Sequence, residues 1–489
     1  MTKTVLARAV LVLAAVPGLV ACSRRVVSLA PEVSARIARV EQGLLPTTRV
    51  QGRTYTPVSI EQRMRTLGVP AVSVAVINDG RVEWAKAYGY ADVETQRPAT
   101  TATLFQAASI SKPVAAIGAL RLVEQGRFTL DEDVNARLRS WKLPTNALTA
   151  KQPVTLRLIM NHAAGTTVHG FPGYAPGSPV PSVPQLLDGT KPANTAAVRV
   201  DVEPGTRWRY SGGGTTIMQL LMTDVTGEPF PSLMRRLVLE PAGMSASTYE
   251  QPLPATRATE AATGYRSGAR VVAGRYHTYP EMAAAGLWTT PTDLARLAIE
   301  IQRSFAGTSN KVLSREMTAA MLKRGVGGHG LGPSVDFDGD SLRFGHGGAN
   351  EGFRAMWTAF ATRGQGAVVM TNSDDGMAIA GDILQAIGRE YGWPGSRPRV
   401  ITPLALAPDA MREYTGRYDL PSSDFQVMIS VDDGRLIATR PGAAPFELVP
   451  TQSNVFAPTI DAPPFVFQRD SSGAVTNLLV GGTRLVRAK

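Results

Sequence analysis

The chain has 489 residues, of which 44% are hydrophobic and 19% charged, a composition that indicates a globular protein and excludes a disordered one. Its length exceeds that of one ordinary core and predicts two or three domains. The net charge is +11, but the 51 Lys and Arg residues are scattered and form no nucleic-acid-binding motif, so we predict no nucleic-acid partner.

The first residues have the organisation of a secretory signal. Lys3 and Arg8 precede an apolar run over 9–20 that is too short to span a membrane. The run ends in Leu-Val-Ala-Cys at 19–22, which resembles the lipobox of bacterial lipoproteins, and Cys22 is the only cysteine of the chain. We therefore predict a signal peptide over 1–21, lipidation of Cys22, and a membrane-anchored protein of the bacterial cell envelope, outside the cytoplasm. An ordinary signal peptide with a chance cysteine is the alternative.

Residues 22–55 are polar and mixed, and predict a tether with a helix around Val33–Gln42. Two apolar runs around Asp79-Gly80 predict a β-hairpin. A helix over 109–125 is predicted to end at Gly126. The pattern is then mostly helical to about residue 330, with examples at 154–161, 215–226, 231–238 and 291–303.

Short strands return in SLRFGHGG, GFRAMWTAF and GAVVMTN, and are followed by a helix over 376–391. Early and late strands that pair in one antiparallel sheet would enclose the helical part as a separate lobe, giving an α+β domain over 56–391. Residues 392–408 are rich in proline and predict a linker. Residues 409–489 predict a small all-β domain of meander, barrel or sandwich type.

Ser109 and Lys112 stand three residues apart at the predicted start of the helix over 109–125. This spacing places both side chains on one helical face, so the lysine can reach the hydroxyl. A serine hydroxyl needs a base to become nucleophilic, and a lysine is such a base when burial or a nearby positive charge lowers its pKa. On spacing alone, a helix-capping serine with a solvated lysine is the alternative.

Two further stretches favour the catalytic interpretation. Tyr210 precedes a glycine-rich turn, where a tyrosine near a lysine can serve as base or proton shuttle. His346 ends a strand and is followed by Gly347 and Gly348, which allow a substrate to approach the backbone closely. The N–H group of Ala349 is then a candidate partner of the Ser109 N–H in an oxyanion hole. A core tyrosine and a surface histidine in a turn are the structural alternatives.

Taken in this order, the stretches SISK, RYSGG and GHGG resemble the serine β-lactamase and penicillin-binding-protein family, in particular its class C-related branch with esterases and D-aminopeptidases. The family pattern is S-x-x-K, then Y-x-N, then K-T-G or H-x-G, and the resemblance covers roughly residues 56–390. It implies a site between a sheet lobe and a helical lobe. It also implies that Ser109 is acylated, that Lys112 is its base, and that Tyr210 is a partner base and the acid that protonates the leaving group.

Two positions depart from the family pattern. Gly212 replaces the asparagine that would hold a substrate carbonyl, which disfavours β-lactam turnover. His346 replaces the lysine of K-T-G, so a fixed cation for a substrate carboxylate is lost or becomes pH-dependent. The C-terminal domain resembles the lipocalin-like domain appended to some members of this family.

We predict no cofactor and no metal, because the five histidines show no His-x-x-x-His spacing and no cysteine lies near them. The predicted function is a serine hydrolase of an ester or a peptide-like amide, with a small-molecule substrate. The cell-envelope location favours peptidoglycan-derived or D-amino-acid peptides, whereas His346 and Gly212 favour small esters. The alternative is a non-catalytic envelope protein that keeps the fold to bind wall peptides.

Overall fold

The computed structural model describes residues 1–2, 30–421, 425–440, 445–460 and 462–488. The predicted signal peptide, apart from its first two residues, and Cys22 lie outside these ranges. Within them, none of the helices combines the length and the apolar character that a membrane span requires.

One antiparallel sheet organises the first four fifths of the chain. In chain order, the strands before the C-terminal domain are β1 (Thr48–Val50), β2 (Ala71–Asn78), β3 (Arg81–Asp92), β4 (Arg97–Pro98), β5 (Phe105–Gln106), β6 (Tyr265–Arg266), β7 (Arg270–Val271), β8 (Trp288–Thr289), β9 (Ser334–Asp336), β10 (Arg343–Asn350), β11 (Phe353–Phe360), β12 (Gly366–Thr371) and β13 (Arg399–Ile401). Seven of them form the sheet in the order β4-β3-β2-β12-β11-β10-β9. Early and late strands therefore pair, as the sequence predicts.

The β2–β3 hairpin turns at Asp79 and Gly80, whose φ angles are 51° and 66°. Positive φ at both central residues matches the twist of the flanking strands, which explains the Asp-Gly pair.

Helices cover both faces of this sheet. They are, in chain order, α1 (Pro31–Gln42), α2 (Ile60–Leu67), α3 (Ser111–Glu124), α4 (Ala147–Lys151), α5 (Leu156–Met160), α6 (Val183–Asp188), α7 (Gly212–Thr226), α8 (Phe230–Met234), α9 (Met282–Ala285), α10 (Pro291–Phe305), α11 (Arg315–Leu322), α12 (Gly376–Glu390) and α13 (Pro408–Arg412). On one face, α1, α2 and α12 bury Ile37, Met64 and Ile383 against the even-numbered valines of β2. On the other face, α10 joins the sheet to the helical lobe that contains α3 and α7.

The predicted tether and the predicted linker meet in a small parallel sheet. Strand β1 pairs with β13, with Thr48 opposite Arg399 and Val50 opposite Ile401. Residues 399–401 of the proline-rich segment are thus held as a strand beside the hydrolase-like domain. Local sequence did not indicate this pairing, because its two strands lie about 350 positions apart.

The C-terminal domain is a closed antiparallel barrel of eight strands. They are β14 (Gly416–Asp419), β15 (Gln426–Asp432), β16 (Arg435–Thr439), β17 (Phe446–Gln452), β18 (Val455–Pro458), β19 (Phe465–Arg469), β20 (Val475–Val480) and β21 (Thr483–Arg487), and β21 closes the barrel onto β14. Its interior is packed with aromatic rings; Tyr414 and Phe467, for example, each lie about 5 Å from Phe456.

The barrel contacts the small parallel sheet. Arg53 forms two hydrogen bonds of 2.6 and 2.7 Å to the Glu447 carboxylate. Val50 and Ile401 pack there against Val449 and Ala457. The predicted α+β architecture, with a sheet lobe, a helical lobe and a small all-β barrel, is confirmed. The relation of the barrel to lipocalins stays a prediction.

Candidate active site

Ser109 and Lys112 lie side by side where the chain enters the helical lobe. Ser109 occupies a 3-10 turn over Ala108–Ile110, and Lys112 is the second residue of α3. The Lys112 Nζ atom lies 2.9 Å from Ser109 Oγ and 2.8 Å from the carbonyl oxygen of Ala284. Lys112 is only 4% exposed. Its amine therefore faces the serine and α9, unlike the solvated lysine of the alternative interpretation.

The backbone before Ser109 adopts a conformation that is unusual for a residue with a side chain. Ala108 has a φ angle of 50° and is fully buried. Such a conformation costs about 1–3 kcal/mol and persists only where the surroundings impose it. Here the N–H of Ala107 donates to Leu287 O at 2.9 Å, and that of Ile110 to Ala107 O at 3.1 Å. This turn delays the α-helix to Ser111, two residues after the predicted start.

Tyr210 lies beside the serine–lysine pair. Lys112 Nζ is 5.0 Å from the centre of the Tyr210 ring. The residue after the tyrosine, Ser211, caps α7: its Oγ accepts a hydrogen bond from Gly214 N at 2.9 Å. The Ser211 N–H also donates to His162 Nδ1 at 3.3 Å, which ties the backbone next to Tyr210 to a buried imidazole.

Gly212 stands at a position where no side chain fits. A Cβ atom there would lie 2.8 Å from Cε2 of Phe171 and 3.1 Å from the carbonyl oxygen of His169. The ring of Phe171 thus occupies the space into which a side chain at 212 would project. The amide that the family pattern would place here is replaced by an aromatic surface.

Strand β10 approaches the serine turn at Gly348, which has no side chain. A Cβ on Gly348 would lie 2.2 Å from Ala107 O, so only glycine allows this contact. Strand β9 pairs with β10 only up to Gly345, and the exposed Gly347 lies beyond that pairing. The N–H groups of Ala349 and Ser109, on these two touching elements, are the candidate oxyanion donors.

The end of β10 is held by a buried side chain. Asn350 donates from Nδ2 to Gln106 Oε1 at 2.8 Å and to Ala285 O at 3.1 Å. Gln106 in turn donates to His277 O at 2.7 Å. This network fixes β10 against β5 and α9, the two elements that flank the serine turn.

His346 contributes a neutral imidazole. Its ring centre lies 5.9 Å from that of Tyr210. Burial, reinforced by the nearby Lys112 charge, lowers the pKa of His346 to about 3. The imidazole therefore carries no charge at neutral pH. The sequence left open whether the cation of the K-T-G lysine is lost or becomes pH-dependent at His346, and a neutral imidazole fits its loss.

Three more histidines gather around Tyr210, which sequence reasoning missed. The rings of His162 and His169 lie 4.3 and 4.8 Å from the Tyr210 ring, and His329 lies 5.1 Å from His162. His162 and His169 come from one segment and His329 from another, so no sequence motif links the three. The only signal in the sequence was that four of the five histidines, although rare, could lie at one site. Among the residues described, no group of three or more His, Cys, Asp or Glu is arranged to hold a metal ion.

Comparison with known proteins identifies the family. A family model described as Beta-lactamase matches residues 59–389, which include every residue of the site. The chain belongs to this family.

The curated relatives include the esterase EstB of Burkholderia gladioli, 28% identical over 196 residues that cover 38% of this chain and 48% of EstB. A D-aminopeptidase of Gluconobacter oxydans is 30% identical over 183 residues, 36% of this chain and 31% of the relative. The chain thus spans less than half the length of these curated relatives.

Solved structures share the fold. The crystal structure of SurE matches with a TM-score of 0.58 at 22% identity, and covers 94% of this chain and all of SurE. An octameric penicillin-binding protein homologue from Pyrococcus abyssi has the same TM-score at 20% identity, with 88% of this chain and 98% of the homologue covered. The family is one of serine hydrolases, whose members among these matches include an esterase and a D-aminopeptidase.

Proposed function

We propose that this chain is a serine hydrolase that cleaves uncharged esters through an acyl-enzyme on Ser109. The observation that carries the proposal is the 2.9 Å separation of Lys112 Nζ from Ser109 Oγ, with the lysine buried and beside Tyr210. Nucleophile and base within hydrogen-bond distance, with the base oriented by a third group, form the arrangement that nucleophilic catalysis requires. Here Ala284 O is the orienting group.

In the first step, Ser109 Oγ attacks the ester carbonyl carbon while its proton passes to the Lys112 amine, which acts as the base. The negative oxygen that forms would accept hydrogen bonds from the N–H groups of Ser109 and Ala349, and the loss of one such donor typically costs about 3–4 kcal/mol. The carbon–oxygen bond to the alcohol then breaks, and the alcohol leaves with the proton that Lys112 returns through Tyr210. Water hydrolyses the acyl-enzyme and regenerates Ser109.

Two features favour an ester over a peptide with a free carboxylate. The space at residue 212 is filled by Phe171, so no amide is available there for a peptide-like carbonyl. The imidazole of His346, whose pKa is lowered to about 3, offers no positive charge to a carboxylate at neutral pH. Both support small neutral substrates over β-lactams and D-Ala-D-Ala peptides.

The test is hydrolysis of a panel comprising p-nitrophenyl esters, a β-lactam and a D-Ala-D-Ala peptide. We expect kcat/KM to be highest for the esters and turnover to vanish in Ser109→Ala. Lys112→Ala should lose about 10²–10⁴-fold, the usual contribution of a general base. Lys151→Ala, at a lysine whose side chain is 64% exposed, is the matched control and should behave as wild type. Ester hydrolysis that survives Ser109→Ala would refute the role of Ser109, and a protein inert to the whole panel would favour the non-catalytic binding function.

We also propose that the protein is anchored to a bacterial envelope membrane through a lipid on Cys22. Support comes from sequence alone: the short apolar run that ends in Leu-Val-Ala-Cys and the absence of any other cysteine in the chain. Cys22→Ser should move the protein from the membrane fraction to the soluble fraction of the cells, with its esterase activity retained. Unchanged membrane partition would contradict the lipid anchor without affecting the proposed chemistry.

A further inference from the structure

A cluster of aromatic rings lies beside Lys112, the lysine that contacts Ser109. Trp208 stacks on His329 with ring centres 5.4 Å apart and planes at 29°. Tyr210 lies 6.3 Å from Trp208, 4.8 Å from His169 and 5.9 Å from His346. Three segments therefore bring flat rings to one place, next to the lysine that faces the nucleophile.

The exposure of these rings, which together form an aromatic wall, decreases from the solvent toward the interior. Trp208 is 40% exposed and lies at the rim, whereas His329, Tyr210 and His346 are half-buried. The backbone of Gly327 packs closely against Trp208, since a Cβ atom at residue 327 would lie 2.3 Å from the Trp208 Cγ atom. An exposed tryptophan in a fixed orientation offers a ligand ring a preorganised surface.

The imidazoles of the wall supply no compensating positive charge. Burial lowers the pKa of all four imidazoles, so they are neutral at pH 7. Two guanidinium groups of the same segments are paired elsewhere: Arg209 with Asp201, and Arg324 with Asp338 at 3.3 Å. Lys112 Nζ contacts Ser109 Oγ and Ala284 O. A substrate carboxylate placed against these imidazoles would lose its hydration without gaining a charged partner from them.

We propose that this cluster of rings binds the aromatic ring of an uncharged ester of an aromatic alcohol, with the ring against Trp208 and His329 and the carbonyl at Ser109. The proposal rests on the proposed function. The alcohol part of the ester lies on the side of the rings, because Tyr210 delivers the proton to the departing alcohol oxygen and Tyr210 itself lies among the rings. The ester C–O bond breaks, the acyl group is transferred to Ser109 Oγ, the neutral aromatic alcohol departs, and water then releases the acid.

The test compares three acetate esters of primary alcohols whose intrinsic reactivities are similar: benzyl, cyclohexylmethyl and 4-carboxybenzyl acetate. Benzyl acetate should have a KM about two- to tenfold lower than the cyclohexylmethyl ester, the range expected of one aromatic contact. The 4-carboxybenzyl ester should have a kcat/KM at least about tenfold below that of the benzyl ester, because its charge is not compensated. Trp208→Leu should remove the preference for benzyl. Tyr90→Leu, at an aromatic residue of β3 that is 47% exposed, is the matched control and should preserve it.

The outcomes separate this inference from the proposed function. Equal KM values for the benzyl and cyclohexylmethyl esters, a Trp208→Leu variant that keeps the preference, or a carboxybenzyl ester hydrolysed as well as the benzyl ester would each overturn the inference. Hydrolysis that still depended on Ser109 would leave the proposed function standing. If Ser109 hydrolysed p-nitrophenyl esters but none of these three, only the inference would be overturned; if it hydrolysed none of them, both would be overturned.

Discussion

Glu281 is a buried carboxyl group that should make the stability of this protein fall as pH rises. Its side chain is fully buried, and neither carboxyl oxygen has a hydrogen-bond partner among the residues described. Burial raises the pKa of Glu281 from 4.5 to about 8. The raised pKa values of Tyr174 and Tyr279 include a contribution from the same carboxyl group. Glu281 is therefore protonated in the fold at neutral pH.

The sign and size of the effect follow from linkage. Between pH 4.5 and about 8, the folded chain keeps a proton on Glu281 that the unfolded chain has lost, so a rise in pH favours unfolding. At about 1.4 kcal/mol per pH unit, this interval amounts to an upper bound of about 5 kcal/mol in the free energy of unfolding. Glu281→Gln removes the titration. It should be more stable than wild type at pH 8–9 and less dependent on pH.

Urea unfolding at pH 5 to 9, followed by tryptophan fluorescence, measures this difference. The tryptophans lie outside the barrel, so the signal reports on the hydrolase-like domain; their positions are 84, 141, 208, 288, 357 and 393. Glu300→Gln is the matched control. The Glu300 carboxylate accepts hydrogen bonds from Ser309 Oγ at 2.6 Å and Lys311 N at 3.1 Å, so this substitution should destabilise at pH 8, opposite in sign to Glu281→Gln. Parallel loss of stability in wild type and Glu281→Gln from pH 5 to 9 would refute the reasoning.

Three further predictions concern the site. Gly348→Ala should push β10 away from the Ala107 carbonyl and lower kcat more than it raises KM, measured with a p-nitrophenyl ester; unchanged kcat would contradict the close approach. Gly212→Asn should lower the urea midpoint because its side chain meets Phe171, and adding Phe171→Ala should restore part of it; equal midpoints of the single and double variants would argue against this contact. His346→Gln should leave the limbs of the pH–kcat/KM profile between pH 5 and 9 in place, because the pKa of His346 is about 3; loss of a limb near pH 6–7 would show that the imidazole titrates there.

Local sequence predicted those parts of the fold that depend on neighbouring residues. The Asp79-Gly80 hairpin and the helix α10 follow from turn chemistry and from the spacing of apolar residues, both short-range signals. The pairing of β1 with β13 and the closure of β14 onto β21 depend on residues far apart in the chain, which no local pattern encodes. The sequence therefore predicted a small all-β domain but left barrel, meander and sandwich open.

The residues of the site also separate into those that local sequence predicts and those that only tertiary packing brings together. Ser109 and Lys112 could be placed together because one turn of chain separates them, and the structure puts their reactive atoms within hydrogen-bond distance. The histidines around Tyr210 and the ring of Phe171 beside Gly212 reach the site only through tertiary packing. In the sequence, nothing distinguishes Glu281 from an ordinary charged surface residue. Only its complete burial reveals that it is protonated.

The central claim is that Ser109 is a nucleophile activated by Lys112. Incubation with a small fluorophosphonate, followed by intact-protein and peptide mass spectrometry, tests it most directly. The account predicts one adduct per chain on the peptide that contains Ser109, absent in Ser109→Ala and formed much more slowly in Lys112→Ala than in wild type. Failure of wild type to react, or an adduct on another residue that persists in Ser109→Ala, would contradict the account.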